Sequence, residues 1–259
     1  MKSVYTGGEK VAEFESYDEL RVGDGKPAFI YEGDELVYPN PVKDGLVLWY
    51  DFGGRTNADD QRGIAEDFSG NGNHGTLQNF NFTEESGYDK NKLLFDGVDD
   101  RIRSDKPFPS SQVLSAEIVI TGREGGYSGV IKGGYGAWAL NEWGIRDVGS
   151  SRSHSFYYSN GDFTSSITTP VQINKITHFC FVMTEIELIV YRNGKQIGLT
   201  ERNAKNDMRF TEQRLDIGTA YSGSYGTHIY HSIKIYHRPL APSEIEHNYA
   251  IEKERFGIE

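Results

Sequence analysis

The chain has 259 residues, of which 25% are charged, 37% hydrophobic and 13% aromatic, a balance that excludes a disordered polymer and leaves room for a sizeable core. Thirty glycines against eight prolines exceed ordinary glycine usage without reaching low complexity, so they point to many tight turns between short strands. A net charge of −11, with no run of clustered cations, excludes nucleic acid and an inserted bilayer anchor as partners.

The first 45 residues hold ten acids and five bases, which sets off an N-terminal module. Met1-Lys-Ser-Val-Tyr-Thr-Gly-Gly has no apolar signal segment, and runs such as Leu46 to Tyr50 fall far short of the roughly 18 residues a membrane span needs. Ala28-Phe-Ile-Tyr31 and Leu36-Val-Tyr38 flank Glu32-Gly33-Asp34-Glu35, a pattern that predicts a hairpin turning at Gly33. Pro39-Asn-Pro41 then stops regular structure, so the boundary falls at 39 to 45. Residues 1–44 are expected to form a β-hairpin attachment module and linker, and 45–259 the main domain; an edge hairpin of that domain is the competing reading.

Beyond residue 45, β-branched and aromatic runs separated by Gly, Asn, Asp or Ser predict strands at 46–52, 93–95, 113–121, 129–132, 137–141, 155–159, 176–184, 187–192 and 228–236. Asn193-Gly194, between Glu187 to Arg192 and Lys195 to Leu199, supplies the positive φ pair that a two-residue hairpin requires. Phe179, Phe181 and Met183 alternate with His178, Cys180 and Val182, so this strand is expected to be central, with both faces covered and His178 structural. Cys180 is the only cysteine and reads as a buried thiol. Pro242-Ser-Glu-Ile-Glu246 predicts a helix capped by Ser243 with Glu246 reaching back, an Ile245, Tyr249 and Phe256 stripe, and Gly257 at its end.

Four segments in order, Gly45-Leu-Val-Leu-Trp-Tyr-Asp-Phe52, Asp67-Phe-Ser-Gly-Asn-Gly-Asn-His-Gly-Thr-Leu77, Leu94-Phe-Asp-Gly-Val-Asp-Asp100 and Ile233-Lys-Ile-Tyr-His-Arg-Pro-Leu-Ala-Pro-Ser-Glu-Ile245, resemble the concanavalin A-like lectin or laminin-G-like jelly-roll family. With the Tyr191-Arg-Asn-Gly-Lys195 hairpin the resemblance spans about residues 45 to 258, and the tail His247 to Ile258 is similar to the ends of such domains in tailed-phage virion proteins. It implies an all-β fold of two packed antiparallel sheets, with binding rather than chemistry as its use. On that basis the chain is expected to be a non-enzymatic virion protein. The N-terminal module would contact other virion proteins, the sandwich would face a host-surface glycan, and several copies or a homo-oligomer would add avidity. A purely architectural virion domain is the alternative.

Asp67-Phe-Ser-Gly-Asn-Gly-Asn-His-Gly75 can turn sharply enough for Asp67, Asn71 and Asn73 to converge on calcium; the competing reading is an Asx-turn bonding its own backbone. Where relatives carry an acid before the last Lys-Ile-Tyr, this chain has Ser232. A sugar site needs exposed rings beside planar polar groups, and two Gly-rich loops qualify: Tyr135, Asn141 and Trp143 in one, Tyr221 and Tyr225 in the other. For the rings, stacking on sugar and packing in the core both remain open. Glycosidase chemistry needs a facing carboxylate pair, and the nearest, Glu185 and Glu187, lies at a turn and lacks a third acid.

Overall fold

A computed structural model of the chain describes residues 2–6, 9–14, 29–32, 35–107, 113–123, 128–133, 142–149, 152–159, 164–202, 214–219 and 224–259. It divides into two units, Met1–Pro41 and Val42–Glu259. The first unit holds two antiparallel hairpins, β1 (Lys2–Thr6) with β2 (Glu9–Phe14) and β3 (Ile30–Glu32) with β4 (Glu35–Tyr38). The second of these is the expected hairpin; the first lies in a segment for which the sequence reading names no element.

In the second unit the strands follow as β5 (Leu46–Asp51), β6 (Ile64–Ala65), β7 (Gly75–Gln78), β8 (Gly87–Tyr88), β9 (Leu93–Leu94) and β10 (Arg101–Ser104). Next come β11 (Leu114–Thr121), β12 (Gly129–Gly133), β13 (Glu142–Val148), β14 (Ser153–Ser159) and β15 (Thr164–Pro170). The last are β16 (Ile176–Met183), β17 (Glu187–Arg192), β18 (Lys195–Glu201), β19 (Leu215–Ile217) and β20 (Ile229–Tyr236), and α1 (Pro242–Phe256) closes the chain. They form two antiparallel sheets. One runs β15-β14-β13-β12-β19-β10-β7-β6; the other runs β18-β17-β16-β11-β20-β9-β8, with β5 also paired to β20. The strand expected at 137–141 lies outside the described residues.

Alternation along the strands builds the core. Ile145, Phe156 and Tyr158 of the first sheet meet Ile118, Phe179, Phe181 and Ile233 of the second, all essentially without solvent contact, which is the interdigitated interior of a jelly-roll sandwich. The edge-to-face and tilted rings of Phe156 and Phe179, with centroids 5.2 Å apart, tie the two sheets together.

The outer face of the second sheet mixes charged and polar groups, Glu117, Ser232 and Lys234, with Val119, Cys180 and Val182, and α1 packs over its polar part. Asn248 donates to Glu117 Oε2 and to the Tyr236 hydroxyl, at 2.8 and 3.0 Å. Glu252 pairs with Lys234 and, at 3.1 Å, with Arg255, whose Nη1 also reaches Asp51 at 2.7 Å. His178 is buried with Nε2 3.5 Å from Glu117 and neither ring nitrogen hydrogen-bonded, so the hydrogen bond expected of it is replaced by a longer contact to the carboxylate, and Ser232 donates to Glu252. The helix start differs from the expectation. Pro242 occupies its first turn and Ala241 is the cap residue, so Glu244, not Glu246, accepts the Ala241 N–H at 2.8 Å and grips Arg238 with both oxygens. Its buried stripe is Ile245, Asn248 and Glu252, more polar than expected because the sheet surface beneath it is charged. Gly257 ends the helix at φ 66°, as its position suggested. Among the described residues no helix is long and apolar enough to cross a membrane.

Candidate functional site

The glycine-rich loop after β6 is held by its own acid. Asp67 Oδ1 accepts the N–H groups of Trp49 and Ser69 at 2.9 and 3.0 Å, and Oδ2 accepts Ser69 Oγ–H and Asn73 N–H at 2.9 and 2.8 Å. Asn71 and Asn73 spend their side-chain N–H groups on the Leu46 and Val47 carbonyls, at 3.0 and 2.7 Å. Four donors converging on one carboxylate occupy the directions a calcium ion would take, so Asp67, Asn71 and Asn73 do not fit a cation. The arrangement is an Asx-turn that pins the loop to β5.

The aromatic candidates do not converge. Trp143 is 5% exposed and lies in the core; a side chain on Gly133 would come within 2.4 Å of its indole nitrogen, so the ring fills space that the glycine vacates and offers no face to a sugar. Tyr225 is half-buried and bridges Thr219. Trp143 faces Gly133 and, beyond it, Leu215, four residues before Thr219, so the two residues are offset by about 13 Å along the strand direction, toward opposite ends. Tyr135, Asn141 and Tyr221 lie outside the described residues. Glu185 and Glu187 stand in the turn joining β16 and β17, closed by Thr184.

At the Tyr225 end, a buried polar group holds two loops. Asp147 accepts from His154 Nδ1 at 2.9 Å, His228 Nε2 at 2.7 Å and Ser128 Oγ at 2.7 Å. Burial pushes the Asp147 carboxyl up, but its histidine hydrogen bonds outweigh that and hold it well below the usual carboxylate range; burial lowers His154. Two imidazoles and a carboxylate within reach of one another resemble a metal site, yet His228 Nδ1 accepts the Arg123 N–H at 3.3 Å. That tautomer puts the proton on Nε2, the atom a metal would need. The trio is therefore a hydrogen-bond anchor that ties the ends of the 122–128 and 224–228 segments to β13 and β14.

At the same end, where Thr121 pairs with both Ile176 and Ile229, a groove of about 490 Å³ opens between the start of β16, the Asn193-Gly194 hairpin and the end of α1. Gln172, Asn174, Lys175, Thr177 and Arg192 contribute polar groups to its walls. Asn193 forms part of the frame, accepting the His178 N–H at 3.1 Å through Oδ1. Asn174 adopts φ 57° and donates its backbone N–H to Gly122. Glu259 also lines it and pairs with Lys175 at 3.7 Å, and amides, a hydroxyl and charges of both signs in a walled site suit a ligand dense in hydroxyl groups. Sequence reasoning identified the Asn-Gly hairpin but not the groove, because residues 172–177 are brought beside it only by the β16–β17 pairing.

The fold and this geometry define the class as an antiparallel β-sandwich with polar sites at its end. No protein-family model and no curated protein matches the chain. Among solved structures it is similar to Trypanosoma rangeli sialidase in complex with sialic acid (TM-score 0.61, 15% identity, 81% of this chain and 33% of that one). It is also similar to the botulinum neurotoxin serotype D binding domain (0.61, 12%, 82% and 53%). A third likeness is to domain 4 of AbnA, a GH43 extracellular arabinanase from Geobacillus stearothermophilus, in complex with arabinotriose (0.55, 17%, 78% and 96%). The chain thus spans about a third of the sialidase and half of the neurotoxin domain. At these identities the likeness establishes the sandwich fold.

Proposed function

We propose that residues 42–259 form a non-catalytic carbohydrate-binding module, and that in the intact assembly it presents this module to a host-surface glycan from a virion, with residues 1–41 as the attachment. The observation that carries the binding reading is the groove, in which Gln172, Asn174 and Lys175, just before β16, share the walls with Arg192 of the Asn193-Gly194 hairpin. The arabinotriose-bound relative, nearly all of which is covered, supports the ligand class. The virion assignment is supported by the ordered segments from Gly45 to Ile258, and repeated copies on a particle would add avidity to a weak site.

A glycan array on the full chain, followed by titration of the hits, tests the binding reading. Lys175 is mostly exposed and pairs at 3.7 Å with the still more exposed Glu259, so a Lys175→Ala, Arg192→Ala double variant is expected to lose glycan binding with an unchanged melting temperature. Undiminished binding by that variant would refute the groove, and release of reducing ends from a bound glycan would refute the non-catalytic reading. The architectural alternative draws on one feature: Ile197 and Leu199 on edge strand β18 and Ile186 beside it are exposed, a surface suited to a protein neighbour. Counting this protein on purified particles alongside adsorption separates the two uses.

A further inference from the structure

We infer that the β17–β18 hairpin is a self-association surface whose partner is a second copy of this chain, laid antiparallel across a two-fold axis. The hairpin register sets like charges opposite each other at both ends. Arg192 faces Lys195 beside the Asn193-Gly194 turn, and Glu187 faces Glu201 at the far end. Like charges directly opposite on paired strands are destabilising, and among the described residues none of these four side chains has an oppositely charged partner within ion-pair reach. The charged groups nearby are committed elsewhere. Arg202 lies 4.7 Å over the Tyr158 ring, donates to the Thr184 carbonyl and acts on Glu185, while Glu259 pairs with Lys175. Strand β15, whose Ile167 passes within 2.6 Å of where a Gly198 side chain would begin, holds only Thr, Ser, Ile and Pro and supplies no counter-charge.

Between the charged ends the edge strand is apolar and open: Leu199 is 50% exposed and Ile197 36%. Read along β18, Lys195-Gln-Ile-Gly-Leu-Thr-Glu201 runs cation, amide, aliphatic, glycine, aliphatic, hydroxyl, anion. That order is complementary to its own reverse. Turned end for end about Gly198, Lys195 of one copy meets the partner's Glu201, Gln196 the partner's Thr200 and Ile197 the partner's Leu199, and an isologous contact makes each of these pairs twice. A neighbour of one charge sign would satisfy one end of the hairpin and repel the other, about 20 Å away along the strand, whereas a reversed copy neutralises both. The register shift opposite Val190 and Tyr191 leaves Ile197 without a partner on β17, and such a bulge interrupts the backbone pattern that a further strand would need. The contact is therefore made by side chains along the edge, which keeps it small and weak, and its two-fold symmetry closes it at two copies.

This inference does not depend on glycan binding, and the residues that test it, Lys195, Leu199 and Glu201, do not line the groove. Sedimentation of the full chain between about 1 μM and about 1 mM, the range in which a weak contact titrates, is expected to show a reversible monomer–dimer equilibrium and no larger species. Leu199→Glu, Lys195→Glu and Glu201→Lys are each expected to weaken the dimer about tenfold or more. Each of the two charge reversals also removes a like-charge pair inside its own hairpin, so the melting temperature at the lowest concentration is expected to hold or rise, which separates lost association from lost folding. An equimolar mixture of Lys195→Glu chains with Glu201→Lys chains restores opposite charges at both ends and is expected to recover the dimer, as is the chain carrying both reversals. A monomer over the whole range, growth beyond the dimer, a dimer undiminished by the single reversals, or no recovery in the mixture would each overturn the inference. The first of these would leave the exposed edge to a different protein neighbour.

Discussion

Asp147 gives the sharpest stability test, because three donors from three different segments meet on one carboxylate. Asp147→Asn keeps the shape but replaces one acceptor oxygen with an N–H₂ group and removes the charge. Either one of the His154, His228 or Ser128 donors then faces another donor, or a histidine switches tautomer and strands its other ring nitrogen, in a site sealed from water. Losing charge-assisted hydrogen bonds costs about 1.5–3 kcal/mol each, and stranding a buried partner belongs to the range of about 3–5 kcal/mol. At roughly 2–4 °C per kcal/mol for a domain of this size, the melting temperature is expected to fall by about 10 °C. Thermal and urea melts followed by circular dichroism measure it, and a fall below about 2 °C would refute the anchor. The sign with pH adds a check. The folded carboxyl is depressed, so its contribution is present above the ordinary aspartate value and is lost as pH falls through the folded value. The acid limb of the stability curve is therefore expected to be steeper in the parent than in Asp147→Asn.

Three further outcomes follow from burial and bonding. Trp143→Ala is expected to cost about 3–5 kcal/mol, read by chemical denaturation; an unchanged midpoint would return the ring to a surface role. His231, whose ring meets Thr121 Oγ1 at 2.9 Å, is held down to about 4 by burial, so stability is expected to drop by about 3 kcal/mol between pH 6.5 and 4. His231→Gln should flatten that slope, and a parallel slope would show that other groups set it. Calcium is expected to leave the melting temperature unchanged, and Asp67→Ala to lower it; a rise on adding calcium that chelator reverses would contradict the saturated Asp67 carboxylate.

Much of the fold was legible in local pattern. The strands at 46–52, 113–121 and 187–192 are runs of β-branched and aromatic residues, and Asn193-Gly194 states its own turn geometry. Thr164-Ser-Ser-Ile-Thr-Thr-Pro170 was not legible, since an edge strand facing water on one side carries little hydrophobic signal. Nor was Arg101 to Ser104, whose arginines point outward and whose one large apolar residue, Ile102, gives no alternation. Helix α1 was placed by its proline and glycine, but its buried stripe was misread because Asn248 and Glu252 are apolar neither by type nor by environment. The sites were less legible than the fold. Asp147, His154 and His228 are scattered over 81 residues. Trp143 and Tyr225 looked equivalent as aromatic residues near glycines; only the pairing register separates a core ring from a rim one.

The charged underside of α1 bears on how the chain is made. In the chain this helix follows every strand of the second sheet, so that sheet can assemble while its outer face is still bare. Had that face been wholly aliphatic, every nascent copy would have shown a sticky slab to its neighbours on the polysome until α1 emerged. Glu117, Ser232 and Lys234 keep it wettable during that interval, and the two-sided charge pattern of Glu252 between Lys234 and Arg255 then accepts one helix register and penalises any slide by a turn.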